Sequence, residues 1–393
     1  MQMDGHHTMT YVAARIAGFE HPEAEIIAYS AQYIDDATNS GPIQFSNSLF
    51  MYERSAPAHK MIDYTNFIEV SNHLAWLPFH FLPGNGGSPQ NTSTGLSDAE
   101  RLICRPDSAI ARDMMATTLI DKNTSRALHR LGVAIHVYAD TFAHQGFMGG
   151  RNEINQVSEL SSPNTGELEK IKERSHWEVF RTAFKRSTHL FPIILRVLAI
   201  MIQERRNPLA FIREFLSTKP LGHAAADVYP DLPYLQWQYK NGRSEIIVRN
   251  NPEIYLQSAV MMVKVFRAWR ADDRAMALEN YEGPKEQDLK IIDTLLRNTK
   301  TPDAHARHAR WLDAIAEGQF SFGPATIHYK SKGKGSWKYR ALGSEKKKDT
   351  GLEIYTYTPG FLTSDWKLFH DAVVAHRYAV VHDVLPRFGI CAA

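Results

Sequence analysis

Side chains able to ligate a metal ion recur at intervals of seven, four and four in one stretch of the chain: His129, His136, Asp140 and His144. At about 100° per residue this spacing puts all of them within a sector of roughly 80° on one helix face. Imidazole nitrogen and carboxylate oxygen together suit zinc, iron or manganese, and two ligands one turn apart can grip a single ion. A lone histidine on an apolar helix is ordinarily a hydrogen-bonded core residue. A stripe of three histidines and an aspartate is different, because burying several titratable groups without an ion is costly. The stripe therefore predicts a divalent-metal site built on His136, Asp140 and His144.

Further donors lie elsewhere in the chain. His223 and Asp227 repeat the H-x3-D spacing, with alanines between them that would let another helix approach. The N-terminus supplies Asp4, His6 and His7. Asp35 and Asp36 close the second predicted helix, where adjacent acids oppose the helix dipole and a cation would offset the cost. The expected ligands are His7, Asp36, His59, His80, His136, Asp140, His144, His223 and Asp227, with Asp4, His6 and His129 as ligands or supports at the margin. Asp140 is expected to bridge or orient ions and Asp35 to fix a ligand imidazole from behind, both serving catalysis. His370, His376 and His382 fall on no common stripe and are read as surface or core. There is no Gly-Lys-Ser/Thr phosphate loop, no G-x-G-x-x-G, no G-x-S-x-G elbow and no H-E-x-x-H, so kinase and serine hydrolase chemistries rank low.

The opening Met1-x-x-Asp4-x-His6-His7, the step Tyr33-Ile34-Asp35-Asp36, the run Pro78-Phe79-His80-Phe81-Leu82-Pro83 and the stretch from His136 to Phe147 together resemble an uncharacterised bacterial family over most of the chain. That likeness brings no activity with it. More distantly, the spacing resembles the helical zinc-dependent phospholipase C and single-strand nuclease superfamily. There an H-x3-D pair, a following His, a later H-x3-[DE] pair and an upstream Asp and His surround a zinc cluster. The resemblance sets His136 and Asp140 at the first pair, His144 after it, and His223 with Asp227 at the later pair. Asp36 and either His59 or His80 stand upstream, and His6 or His7 near the N-terminus. In that superfamily the N-terminus freed by signal cleavage is itself a ligand, whereas no signal is legible here, and the interval from His144 to His223 is longer.

The resemblance implies a metal-dependent hydrolase of phosphoester bonds, acting on a phospholipid, nucleotide or nucleic acid through a metal-activated water, with zinc the first expectation and iron or manganese the others. The aromatic neighbours Trp76, Phe79 and Phe81 suit a lipid or a nucleobase. Two other readings stand beside it. One is an HD-like phosphohydrolase or iron oxygenase, although adjacent His-Asp pairs occur only at His370-Asp371 and His382-Asp383. The other is a non-enzymatic interaction protein, such as a toxin, immunity or defence component with structural histidines.

Such a site needs helices to hold it. Apolar periodicity predicts them over residues 8–19, 23–37, 108–121, 125–146, 166–187, 191–206, 209–216, 253–279, 284–298, 303–317 and 364–385. Residues 72–87, running into Pro83-Gly84-Asn85-Gly86-Gly87, read as a functional or lid-like loop. Residues 320–357 alternate aromatic and branched side chains around Gly-Lys-Gly and a lysine run, and read as a small β-hairpin or a surface insertion. The expected fold is mainly α: a multi-helix bundle of metallohydrolase type over 1–317, a β-rich insertion over 318–357, and a C-terminal helix over 358–393 packing back on the bundle.

Composition bounds the rest. The chain has 393 residues, 44% of them apolar and 22% charged, which is ordinary for a globular protein. Forty-five basic against 43 acidic residues leave no field that would draw nucleic acid or an anionic membrane, so the expected partner is a small-molecule, lipid or nucleotide substrate. Cys104 and Cys391 cannot form a disulfide framework. The longest apolar run, near Phe191, is broken by Pro192 and Arg196 and falls short of the roughly 20 residues a bilayer demands. No membrane span and a cytoplasmic location are expected, and nothing in the sequence sets an oligomeric state.

Overall fold

The computed structural model describes residues 1–59, 69–90, 95–163, 219–346 and 353–392. A π-helical turn, Asp4–Met9, runs directly into α1 (Thr10–Ile16), and α2 (His21–Asp36) follows. Glu20 and Glu23 form a reciprocal capping box at the start of α2, with Pro22 in its first turn. Next come β1 (Gly41–Phe45), β2 (Met51–Arg54), α3 (Glu69–Phe79), α4 (Asp98–Arg101), α5 (Ala109–Thr117) and α6 (Ala127–Ala143). They are followed by β3 (Val157–Ser161), β4 (Gln236–Asn241), β5 (Ile246–Asn250) and α7 (Asn251–Arg270). Then come α8 (Glu286–Asn298), α9 (Ala304–Ala316), α10 (Trp337–Leu342), β6 (Ile354–Tyr355) and α11 (Asp365–Tyr378), continued by a π-helical turn (Ala379–Val384) and a last short helix, α12 (Leu385–Arg387). The helices expected at 166–187, 191–206 and 209–216 lie outside the described residues.

Helix α6 is buried at every position from His129 to Ala143, as befits a helix enclosed on all sides. α2, α3, α5, α7 and α11 pack around it. Its apolar residues Leu131, Ile135, Tyr138 and Phe142 share one core with Ile110 and Met114 of α5 and Val263 and Phe266 of α7. The crossing with α2 depends on Gly132, where a Cβ would stand 2.5 Å from the Ile27 carbonyl oxygen and 2.5 Å from Ser30 Cβ. Glycine alone permits that approach, and His136, one turn further on, thereby comes within reach of the α2 backbone.

The described residues are helix-dominated with two three-stranded sheets, which makes the fold mixed rather than purely helical. β1 pairs antiparallel with β2 and parallel with β6; β4 pairs antiparallel with both β3 and β5. Among the described residues the hairpins are β1–β2 and β4–β5, and the expected hairpin over 320–357 is corrected. Its described residues are mostly irregular and contain α10 and the two-residue strand β6. Ser336 caps α10 by accepting the Tyr339 N–H, and Gly343 ends it at φ +68°. The aromatic residues there anchor the segment to the core, with Trp337 stacked on Tyr29 at 3.9 Å between ring centroids. The lid-like loop expected over 72–87 is corrected as well. α3 continues to Phe79 despite Pro78, because Arg377 Nε donates to the Leu74 carbonyl that the proline cannot serve (3.0 Å). The following loop is pinned: Pro83 bridges to Cys104, and buried Asn85 accepts from Arg101 Nε at 2.9 Å. Among the described residues no helix is long and apolar enough to cross a membrane.

Candidate metal centre

Six parts of the chain converge on one buried cluster. α6 contributes His136, Asp140 and, at its C-cap, His144; α2 contributes Asp35. His80 follows α3, His6 comes from the N-terminal π turn, and His223 and Asp231 come from two short 3-10 turns. The donor atoms fall into groups able to hold an ion: His6, His136 and Asp140; Asp35, His80 and His136; and His144, His223 and Asp231. Asp140 Oδ1 lies 2.6 Å from the Met1 α-amino nitrogen and 3.1 Å from His6 Nε2, while Oδ2 lies 3.3 Å from both His80 Nδ1 and His136 Nε2. Asp231 Oδ1 lies 3.1 Å from the same amine and 3.3 Å from His144 Nε2, and its Oδ2 is 3.7 Å from His223 Nε2. Asp35 Oδ1 stands 3.9 Å from the donors of His80 and His136. Ligands at about 2.0–2.1 Å from a tetrahedral ion stand roughly 3.3–3.4 Å from one another, so these separations match a shared ion.

Backbone carbonyls orient the rings. Nδ1–H of His136 donates to Ala31 O (2.7 Å), that of His144 to His80 O (2.8 Å), and that of His223 to Asp227 O (2.8 Å). Each bond places the ring proton on Nδ1 and turns a bare Nε2 lone pair toward the carboxylates, the arrangement expected behind a metal-bound imidazole. Among the described residues, Nδ1 of His6 and Nε2 of His80 are buried without a hydrogen-bond partner, and Nε2 of His6 faces the Asp140 carboxylate. Buried polar atoms are seldom left so, and a cation would satisfy them.

Electrostatics favour a cation too. Burial alone would raise the Asp140 carboxyl, but the imidazole of His144, the Met1 ammonium, His6 and His136 hold it well below the usual carboxylate range. Burial likewise works against Asp231, which the Met1 ammonium and His223 bring below its ordinary value. Burial would lower the Met1 amine, yet Asp140, Asp231 and Asp35 raise it to about 11. Burial pushes Asp35 up to about 8; because a third of that side chain stays exposed, solvent relieves part of the cost. Burial, helped by the neighbouring His136, keeps His6 far below the ordinary imidazole value.

The cluster thus brings together His6, Asp35, His80, His136, Asp140, His144 and His223 of the residues singled out in the sequence. Others are placed elsewhere. His7 turns away from its neighbour His6 and pairs its Nδ1 with His308 Nε2 at 2.9 Å. Asp36, about 100° round α2 from Asp35, accepts from the Tyr329 hydroxyl at 2.6 Å. Asp4 is ion-paired with Arg307, His129 faces Asp365 at 3.2 Å, and His59 lies against the Trp76 ring. Asp227 presents only its carbonyl. The segment is not one helix: a 3-10 turn ends at Asp227, whose φ of +50° and ψ of −130° break the register that H-x3-D spacing presumes. The next turn carries Asp231 back to His223. Asp231 and the Met1 amine are the members that spacing rules pass over. Tyr229-Pro230-Asp231 reads as a plain turn, and a terminal amine has no side-chain signature.

A helix-dominated protein whose centre gathers histidine and aspartate donors into groups able to hold metal ions is the class that fold and site define. Within it, residues 1–384 match the family of unknown function DUF6765, and the chain belongs to that family. No curated protein and no solved structure matches it.

Proposed function

We propose that the protein is a metal-dependent hydrolase of phosphoester bonds that holds at least two divalent cations, zinc foremost, in the cluster around Asp140. The observation that carries this reading is the convergence of buried donors at ion-sharing separations, with three imidazoles fixed by backbone carbonyls so that Nε2 points inward. Bound cations would lower the pKa of a water to near neutrality and offset the charge of phosphoryl oxygens. Asp140, with its two oxygens directed to different neighbours, would hold a cation through either oxygen. Asp35 and His223 are the more exposed members, at 33% and 20%, and water and substrate would reach the cluster from their side. Trp76, beside His80 at 5.2 Å, would offer an aromatic face to an acyl chain or a base.

The test is turnover by the zinc-loaded protein on chromogenic phosphomonoester, phosphodiester and phosphocholine-ester substrates, with a carboxylic ester as control. Hydrolysis of a phosphoester, reduced at least about 100-fold in Asp140→Asn, supports the proposal. Metal-loaded protein that cleaves none of the phosphoesters overturns it.

A further inference from the structure

The N-terminal turn reaches the cluster because something on its other side holds it. Arg307 of α9 is 1% exposed and uses its whole guanidinium fork on this turn and its surroundings. Nε donates to Asp4 Oδ2 at 2.7 Å, and Nη2 donates to Gln2 Oε1 at 2.6 Å and to Asp4 Oδ1 at 3.3 Å. Nη1 donates to Thr301 O at 2.6 Å, tying the assembly to the start of α9. The next residue, His308, takes His7. The side chains of residues 2, 4 and 7 are therefore engaged by α9, and His6 and the Met1 amine face the opposite way, toward Asp140. Among the described residues His6 Nδ1 has no hydrogen-bond partner and Nε2 faces the Asp140 carboxylate at 3.1 Å, so beyond the His136 ring stacked on it at 3.7 Å its place is set by the turn that carries it.

We propose that Arg307 and His308 are positioning residues that set the rotation of the N-terminal turn and so decide whether His6 completes its ion group with His136 and Asp140. The inference rests on the metal-centre reading. A one-residue slip of the turn would exchange His7 for His6 at the cluster. A fork that engages both oxygens of Asp4 and the amide of Gln2 forbids that slip through geometry that a lysine cannot reproduce. Stability alone is a poor reason for such a pair, because buried ion pairs add little net stability over apolar replacements of similar shape.

The test compares zinc content and resistance to a competing chelator in four proteins: wild type, His6→Ala, Arg307→Lys, and the double variant Asp4→Asn with Arg307→Gln. The double variant leaves no unpaired buried charge, and Arg307→Lys keeps the charge while removing the fork, so between them a folded variant is secured. Circular dichroism and thermal melting report the fold separately. The expected result is that both Arg307 variants behave like His6→Ala. One class of zinc binds about 10–100-fold more weakly, the cost typical of removing a residue that orients a ligand, and the zinc held by His144, His223 and Asp231 is unchanged. Wild-type zinc content and chelator resistance in both folded Arg307 variants, beside a loss in His6→Ala, would overturn the latch while leaving the metal centre standing. A wild type that takes up no zinc would overturn the reading on which the latch depends.

Discussion

Among single residues, carboxylates that look alike in the sequence differ in what they touch. Asp231→Asn is expected to lower zinc content, because both its oxygens face cluster donors, whereas Asp227→Asn is expected to leave it unchanged, because only the Asp227 carbonyl serves His223. Metal analysis of the two purified variants decides the matter, and equal loss in both would contradict it. Asp227 also carries backbone strain at φ +50°. Replacement by glycine is expected to raise stability, by up to about 1 kcal/mol after the entropic cost of the glycine, read as a higher urea midpoint. The α6 stripe was legible because a helix keeps its period. Asp35 against Asp36 and His6 against His7 were not, since adjacency says nothing about which of two faces meets α6.

At the scale of elements, the close crossing of α2 and α6 is what brings Asp35 to His136. Gly132→Val is expected to push the helices apart, cost about 1–3 kcal/mol in chemical denaturation, and weaken zinc binding through the lost His136 to Ala31 bond. Unchanged stability and zinc affinity would contradict this. The long helices from α6 onward were readable because their apolar faces recur over several turns. Residues 320–357 mislead because alternating aromatics also arise where a chain is laid across a core, as Trp337 is laid on Tyr29. α3 was hidden by Pro78, whose missing donor is replaced by Arg377 from nearly three hundred residues away, beyond the reach of any local rule. β4, with Trp237 and Tyr239 turned inward, carries a period of two that a search for helices passes over.

At the scale of the whole molecule, pH acts through the buried histidines and through the cluster. Burial lowers the pKa of His6, His7, His223, His308 and His376 from the ordinary 6.5, with His308 brought to about 4. Below about pH 6.5 the unfolded chain binds protons that the native one refuses, so stability falls as pH drops through that value, and these groups contribute no pH dependence above about 7.5. Urea midpoints of chelator-treated protein that stay level between about pH 7 and about pH 5 would contradict this. Metal uptake has the same sign for a different reason. Asp35, pushed up to about 8, must surrender its proton to a cation, so zinc affinity should climb as pH rises toward 8 with protons released on binding. Calorimetric titration in buffers of different ionisation enthalpy would register that release.

Whether these donors hold ions is read from anomalous diffraction of crystals grown with zinc, collected on both sides of the zinc absorption edge. The account predicts anomalous peaks about 2.0–2.2 Å from Nε2 of His136 and an oxygen of Asp140, and again from Nε2 of His144 and an oxygen of Asp231. Crystals that show zinc only at the surface, with His6, His80, His136 and His144 in their present places and no peak among them, would contradict it.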